Sequence, residues 1–207
     1  MVTLNQHLEQ RQQTTLRKSQ RGITRTVPMA SDDALTVGPF SLETKRFGHI
    51  MVQPEQIWSF VLPLVGFDHV SEYVLLEHAP DSPFQWLQAV QDPELAFVIT
   101  SPALFGLDYS VSIPEWALAL LDAIDPELTN HTCAERFSIL TLVSIPEDEP
   151  RNMTANLLAP IILYRTDNAP QSAQWGMQLV LQDNSYSTRV RLLPDTTSTT
   201  SKQTPQS

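Results

Sequence analysis

A single cysteine, Cys133, leaves the chain unable to form an internal disulfide. Glycine is also scarce: six residues against sixteen prolines, a balance that predicts many chain reversals and few long helices. Bases are outnumbered, with 13 Lys and Arg against 23 Asp and Glu, for a formal net charge of −10. No apolar run approaches the roughly 18 residues of a membrane-spanning helix, and the Gln-, Thr- and Arg-rich residues 1–25 lack the apolar stretch of a secretion signal. These absences predict a soluble, cytoplasmic protein without membrane contact. There is no GxGxxG, no Walker-type loop and no CxxC pair, and the five histidines (His7, His49, His69, His78, His131) have no metal-ligand spacing. No cofactor and no metal are therefore expected; paired catalytic carboxylates stay open, though nothing in the sequence points to them. His131 and Cys133 are the one pair that hints at a thiol nucleophile and a small hydrolase, but nothing near them supplies an orienting third group. Glu147, Asp148 and Glu149 lack the spacing of a calcium loop and read as a solvated acidic turn.

What is present is unevenly distributed. Residues 1–30 hold five bases (Arg11, Arg17, Lys18, Arg21, Arg25) against Glu9, a charge of +4. The remainder holds eight bases against 22 acids, a charge of −14. Such a body repels phosphate, so no direct nucleic-acid contact is expected, whereas a basic protein partner would be steered toward it. Apolar residues make up 42% of the chain, enough for one cored domain. Residues 1–40 are expected to form a disordered basic extension, residues 41–193 the folded domain and residues 194–207 a disordered polar tail. A basic arm that touches RNA or folds back on the acidic body is the other reading of the first segment.

The folded region alternates with period two. Ser82–Thr100 predicts two interior strands around an Asp92-Pro93 turn: Phe84, Trp86 and Val90 face one way, Leu87 and Ala89 the other. Gln85, Gln88 and Gln91 are expected at the strand ends or rim. Further strands are predicted over Phe40–Val52, Ile57–Leu62, Tyr73–Glu77, Phe137–Ile145, Asn152–Tyr164 (bulged or at an edge near Pro160) and Trp175–Leu181. Ile113–Ile124 predicts a helix with Pro114 in its first turn and Trp116, Leu120 and Ile124 on its buried face, capping an open end of the sheet. Ser101–Tyr109 reads as a packed connector or as a partner-facing loop. The sum is a mainly β fold: a small antiparallel β-barrel-like domain with one or two short helices.

Three segments resemble the flagellar assembly factor FliW family. Ser82–Thr100 is similar to its "SPFxWLQxVxDPxLAFVxT" run. Ser144–Asp148 with Asn152–Ile161 is similar to "TIPEDP…MTANLLAPI". Leu181–Arg189 is similar to "LxDSxYSTRH". The likeness runs from about Glu43 to Arg191. Two departures stand out. Phe60–Asp68 lacks the first Pro, first Gly and second Pro of the family's "FPxGxPGFE", and Val190 replaces the histidine after "STR".

The resemblance implies a non-catalytic, β-barrel-like protein that binds flagellin in the cytoplasm before export. It also implies binding of CsrA, a dimeric RNA-binding regulator, away from its RNA-contacting residues, so that repression of flagellin synthesis is relieved. The chain is expected to be a monomer. An alternative is a divergent β-barrel interaction module with another partner. Candidate partner-binding residues are polar or aromatic groups of the matched segments that a barrel does not require: Asn152, Met153, Asn156, Asp183, Ser185, Tyr186 and Arg189, followed by Phe105 and Tyr109 of the connector. Each has a structural alternative: Asn156 satisfying a bulge at Pro160, or Tyr186 plugging the barrel end.

Overall fold

A computed structural model describes residues 38–123, 137–165, 174–182 and 185–194. In chain order the strands are β1 (Phe40–Thr44), β2 (Gly48–Val52), β3 (Ile57–Leu62), β4 (Glu72–Glu77), β5 (Phe84–Ala89), β6 (Ala96–Thr100), β7 (Phe137–Ser144), β8 (Thr154–Ala155), β9 (Ile161–Arg165), β10 (Gln174–Gln178) and β11 (Val190–Arg191). One α-helix, α1 (Glu115–Asp122), lies among the described residues, and none of their helices is long and apolar enough to cross a membrane.

Seven strands close into a ring: β3, β4, β5, β6, β7, β9 and β10, the last returning to β3. An odd number of strands cannot alternate direction all the way round. One pair must therefore run parallel, and it is β10 against β3, with Gln174 opposite Trp58 and a register shift at Gly176/Met177. Every other pair in the ring is antiparallel. The barrel interior is filled by Phe60, Tyr73, Leu87, Ala89, Ile99, Ile161 and Leu163, all buried. Burying a leucine- or phenylalanine-sized side chain contributes roughly 1.5–3 kcal/mol, so this interior is the main source of stability.

The outer wall is covered in two places, which is why strands are apolar on both faces. The β1–β2 ribbon lays Leu42 and Val52 against Val74 of β4. Helix α1 lays Ala117 and Leu121 against Ile162, Tyr164 and Met177 of β9 and β10. The helix thus covers the side of the barrel and does not cap an end. Its buried face matches the expected one only in part: Leu120 packs on this cluster, but Trp116 does not lead the contact. Trp116 is 38% exposed, while Ala117 and Leu121 are buried, because the small Ala117 lets the helix approach the sheet closely. Pro114 is the residue before the helix, with an extended backbone. Ile124, His131 and Cys133 lie outside the described residues.

The predicted β5–β6 hairpin is present, with Trp86 opposite Val98 and Leu87 opposite Phe97. Three other expectations change. Phe40–Val52 is a hairpin and not one strand: Thr44 Oγ1 accepts from the Phe47 N–H (3.0 Å) and donates to the Gly48 carbonyl (2.9 Å), and Gly48 has φ +67°. Such a positive φ carries little cost for glycine. Asn152–Tyr164 is two strands, β8 and β9, split by a turn that ends at Pro160. Gln88 is not at a rim but fully buried, its amide nitrogen donating to the carbonyls of Ala89, Asp92 and Leu95 at 3.0–3.2 Å.

Tyr73 gives a prediction. Its ring packs on Phe60 at 4.7 Å, and its buried hydroxyl has no hydrogen-bond partner among the described residues. An unsatisfied buried donor is destabilising, so Tyr73→Phe is expected to raise stability by about 1 kcal/mol at pH 7. Burial also pushes the Tyr73 pKa far above the ordinary value of 10. The folded state therefore favours the neutral phenol, and that advantage is intact below pH ~10 and lost above it. Urea melts should show the parent midpoint falling faster than the variant's above pH ~10; parallel curves would contradict the assignment.

Candidate protein-interaction site

Beyond the end of β7 the chain leaves the ring, and β8 and β11 add a short ladder to it: Val143 pairs with Ala155, and Ala155 with Val190. This ladder buries Ala155, Leu157 and Leu192 in a separate apolar cluster. Packed around them, and only partly covered, are Phe84, Phe105, Tyr109, Met153, Tyr186 and Val190. Residues from four distant parts of the chain thus form one surface.

The connector after β6 begins as a 3-10 turn, Pro102–Phe105, closed by Gly106 at φ +68°. The turn leaves Leu104 65% exposed and sets the Phe105 ring 5.6 Å from Phe84. Tyr109 then donates its hydroxyl to the Leu157 carbonyl at 2.6 Å. Its ring meets that of Tyr186 edge-on, at 4.9 Å and 84°. Tyr186 in turn donates to the Ser110 carbonyl at 2.9 Å, and the Leu157 N–H donates to the Ser187 carbonyl at 3.0 Å. Two tyrosines therefore tie three loops together with their hydroxyls while their rings supply apolar surface. Burial, with the neighbouring Tyr186 adding to it, pushes the Tyr109 pKa well above the usual tyrosine value, so the phenol remains a neutral donor.

Tyr109→Phe removes the partner of the Leu157 carbonyl and is expected to cost about 1 kcal/mol. Tyr186→Phe should cost about the same or less, since its bond is exposed. Because the rings touch, the double variant should differ from the sum of the two. Urea melts of the four proteins measure this, and strict additivity would show that the lock is not a unit.

The remaining candidates divide. Asn152 sits at the end of a 3-10 turn (Pro150–Asn152). Its amide donates to the Glu149 carboxylate and its oxygen accepts from Arg191 Nη2. Met153 packs beside it on the cluster, its carbonyl accepting from the Leu192 N–H at 3.2 Å. Asn156 is committed to the turn before β9: Oδ1 accepts from the Ala159 N–H at 3.1 Å, and its own N–H donates to the Leu142 carbonyl at 2.9 Å. Ser185 and Arg189 are exposed in the following loop, where the Arg189 N–H donates to Ser187 Oγ at 3.2 Å. Asp183 lies outside the described residues. The structure thus gathers Phe105, Tyr109, Met153 and Tyr186 on one patch, places Asn152, Ser185 and Arg189 in its neighbouring turns and loops, and uses Asn156 to build the underlying turn. Sequence reasoning passed over Phe84 and Arg191 as surface members. Phe84 stood in a strand pattern that explained it fully, and nothing in the sequence pairs Arg191 with Asn152. Among the described residues no three His, Cys, Asp or Glu side chains converge as a metal site.

Comparison with known proteins bears on the same region. A family model described as "FliW protein" matches residues 41–192. The flagellar assembly factor FliW of Leptospira biflexa is 36% identical over 153 residues, covering 74% of this chain and 91% of that one. Its counterpart in Alkaliphilus metalliredigens is 37% identical over 156 residues, covering 74% and 86%. A solved structure titled "Crystal structure of the flagellar assembly factor FliW" superposes with a TM-score of 0.62 at 25% identity, covering 76% of this chain and 99% of that one. With this barrel and this match over most of its length, the chain belongs to the FliW family of flagellar assembly factors.

Proposed function

We propose that this chain is a non-enzymatic, cytoplasmic scaffold that binds flagellin as a chaperone and, once flagellin is exported, binds CsrA and relieves its repression of flagellin translation. One observation supports this above the others. The three segments that resemble the family, distant in sequence, meet on one patch: Phe84 from the first, Met153 from the second and Tyr186 from the third. A barrel interior needs none of these side chains, and partly covered aromatic and methionine groups are frequent interface anchors. The −14 charge of residues 31–207 suits partners with basic surface.

The test is a titration of the protein into a CsrA–RNA complex, with and without flagellin. RNA release by the protein alone, suppressed by added flagellin, is the expected result. Failure to bind either protein would end this reading. A second reading, a divergent module with another partner, is favoured by the Leu64–Phe67 turn. There Gly66 has φ +92° and the Val65 N–H is held by the buried Gln178 side chain at 2.8 Å. Grafting the family's typical loop onto Phe60–Asp68 separates the two readings: a large gain in flagellin affinity favours the second.

A further inference from the structure

Between the β4–β5 turn and the 3-10 turn after β6 lies a pocket of about 280 Å³. Its floor is Leu140, a core residue at the point where β7 stops pairing with β9 and starts pairing with β6. Pro83, Phe84 and the 65%-exposed Leu104 make the apolar walls. The charged members of the lining, Glu77 and Asp81, are both acidic. Among the described residues neither has an ion pair: Lys45 is engaged by Glu94, and the guanidinium groups of Arg46 and Arg165 lie over Trp86 and Trp58. The volume falls just below the roughly 300–1,000 Å³ of small-molecule sites and fits one side chain of a partner.

We infer that this pocket receives an arginine side chain presented by a protein partner. The aliphatic stem would lie along Leu104 and Pro83, with the guanidinium between the Glu77 and Asp81 carboxylates and against the Phe84 ring. Arginine fits better than lysine: its planar, weakly hydrated head pairs with carboxylates in a fork and stacks on aromatic faces. Position supports the assignment, since Phe84 lines the pocket and also belongs to the aromatic patch. A partner on the patch would reach the pocket without a second footprint. The inference rests on the functional reading above only in taking the partner to be a protein.

The test uses the full ¹⁵N-labelled chain and a probe peptide, acetyl-Gly-Arg-Leu-Gly-amide, with matched peptides carrying Gln or Lys in place of Arg. Saturable amide shifts at Ser82, Gln85, Ser101 and Leu104 are expected with the Arg peptide, weakening as salt is added. They should be absent with the Gln peptide, and binding should be at least tenfold weaker in a Glu77→Gln/Asp81→Asn variant. Asp81 has φ +62°, and asparagine tolerates that region, so the variant should fold as the parent does. A Leu104→Ser variant should weaken binding too. No saturable shift, an equal response to the Gln or Lys peptide, or unchanged binding by the double variant would overturn the inference. Tighter binding after replacing Arg11, Arg17, Arg21 and Arg25 with Gln would assign the pocket to the chain's own N-terminal segment, and would overturn it as well. If the parent binds neither flagellin nor CsrA, the functional reading fails and the peptide result still decides the pocket.

Discussion

Replacing Gly176 with alanine is expected to lower folding stability by about 2–3 kcal/mol, the upper part of the usual range for an overpacked core. A β-carbon built on Gly176 would meet the Phe60 ring at 2.7 Å from Cδ2 and 2.8 Å from Cζ, closer than such atoms ever pack. Retreat of Phe60 is resisted by its burial in the barrel interior beside Tyr73. Gly176 also sits at the register shift of the parallel β3–β10 seam, where a displaced backbone would disturb closure. The check is a double-mutant cycle by urea denaturation. Phe60→Leu alone should destabilise, but in the Gly176→Ala background it should recover part of the loss. A Gly176→Ala protein as stable as the parent would show that the ring is free to move.

The second large effect is expected at Gln178. This side chain is buried, its Oε1 accepting from the Val65 N–H (2.8 Å) and its Nε2 donating to the Ala159 carbonyl (3.0 Å). Gln178→Leu has similar bulk and leaves both backbone groups without this partner, at roughly 1–3 kcal/mol for the buried Ala159 carbonyl and less for the part-buried Val65 N–H. A total loss of about 2–4 kcal/mol is expected. Hydrogen exchange gives a more specific readout: the Val65 amide should lose protection while Leu87 and Ile99, deep in the barrel, keep theirs relative to global stability. Uniform change at all three would mean that Gln178 fills space and does not hold the turn. The outcome matters for function, because this turn lies within the stretch where the chain departs from its family pattern.

The places where sequence reasoning succeeded and failed share one cause. Period-two alternation reports burial, not which cluster does the burying. For β5 and β6 the two agree, so the hairpin and its faces were readable. From Ala155 to Leu163 the alternation runs unbroken, yet Ala155 and Leu157 belong to the patch cluster while Ile161 and Leu163 fill the barrel. Parity survives the intervening turn and hides it. In α1 the large Trp116 drew attention, but closeness of approach selected Ala117 for burial. For Phe40–Val52 the turn signal was the Thr44 side chain and one positive-φ glycine, both invisible to a pattern count. Of the candidate residues, Met153 and Tyr186 of the matched segments and Phe105 and Tyr109 of the connector pack in one cluster. Arg191, Leu104 and the two pocket carboxylates were not singled out, because their meaning comes only from neighbours far along the chain.

The parallel seam has a kinetic side. Val65 and the Gln178 side chain that holds it are 113 positions apart, and β3 cannot be sealed until β10 reaches it. Contacts between such distant segments are slow to form, because the intervening chain must be ordered first. During synthesis the nascent polypeptide would therefore carry two unpaired strand edges, on β3 and β9, until residue 178 has emerged from the ribosome. Those edges are open to pairing with other chains, so premature termination before β10 should yield aggregates and not a smaller soluble barrel.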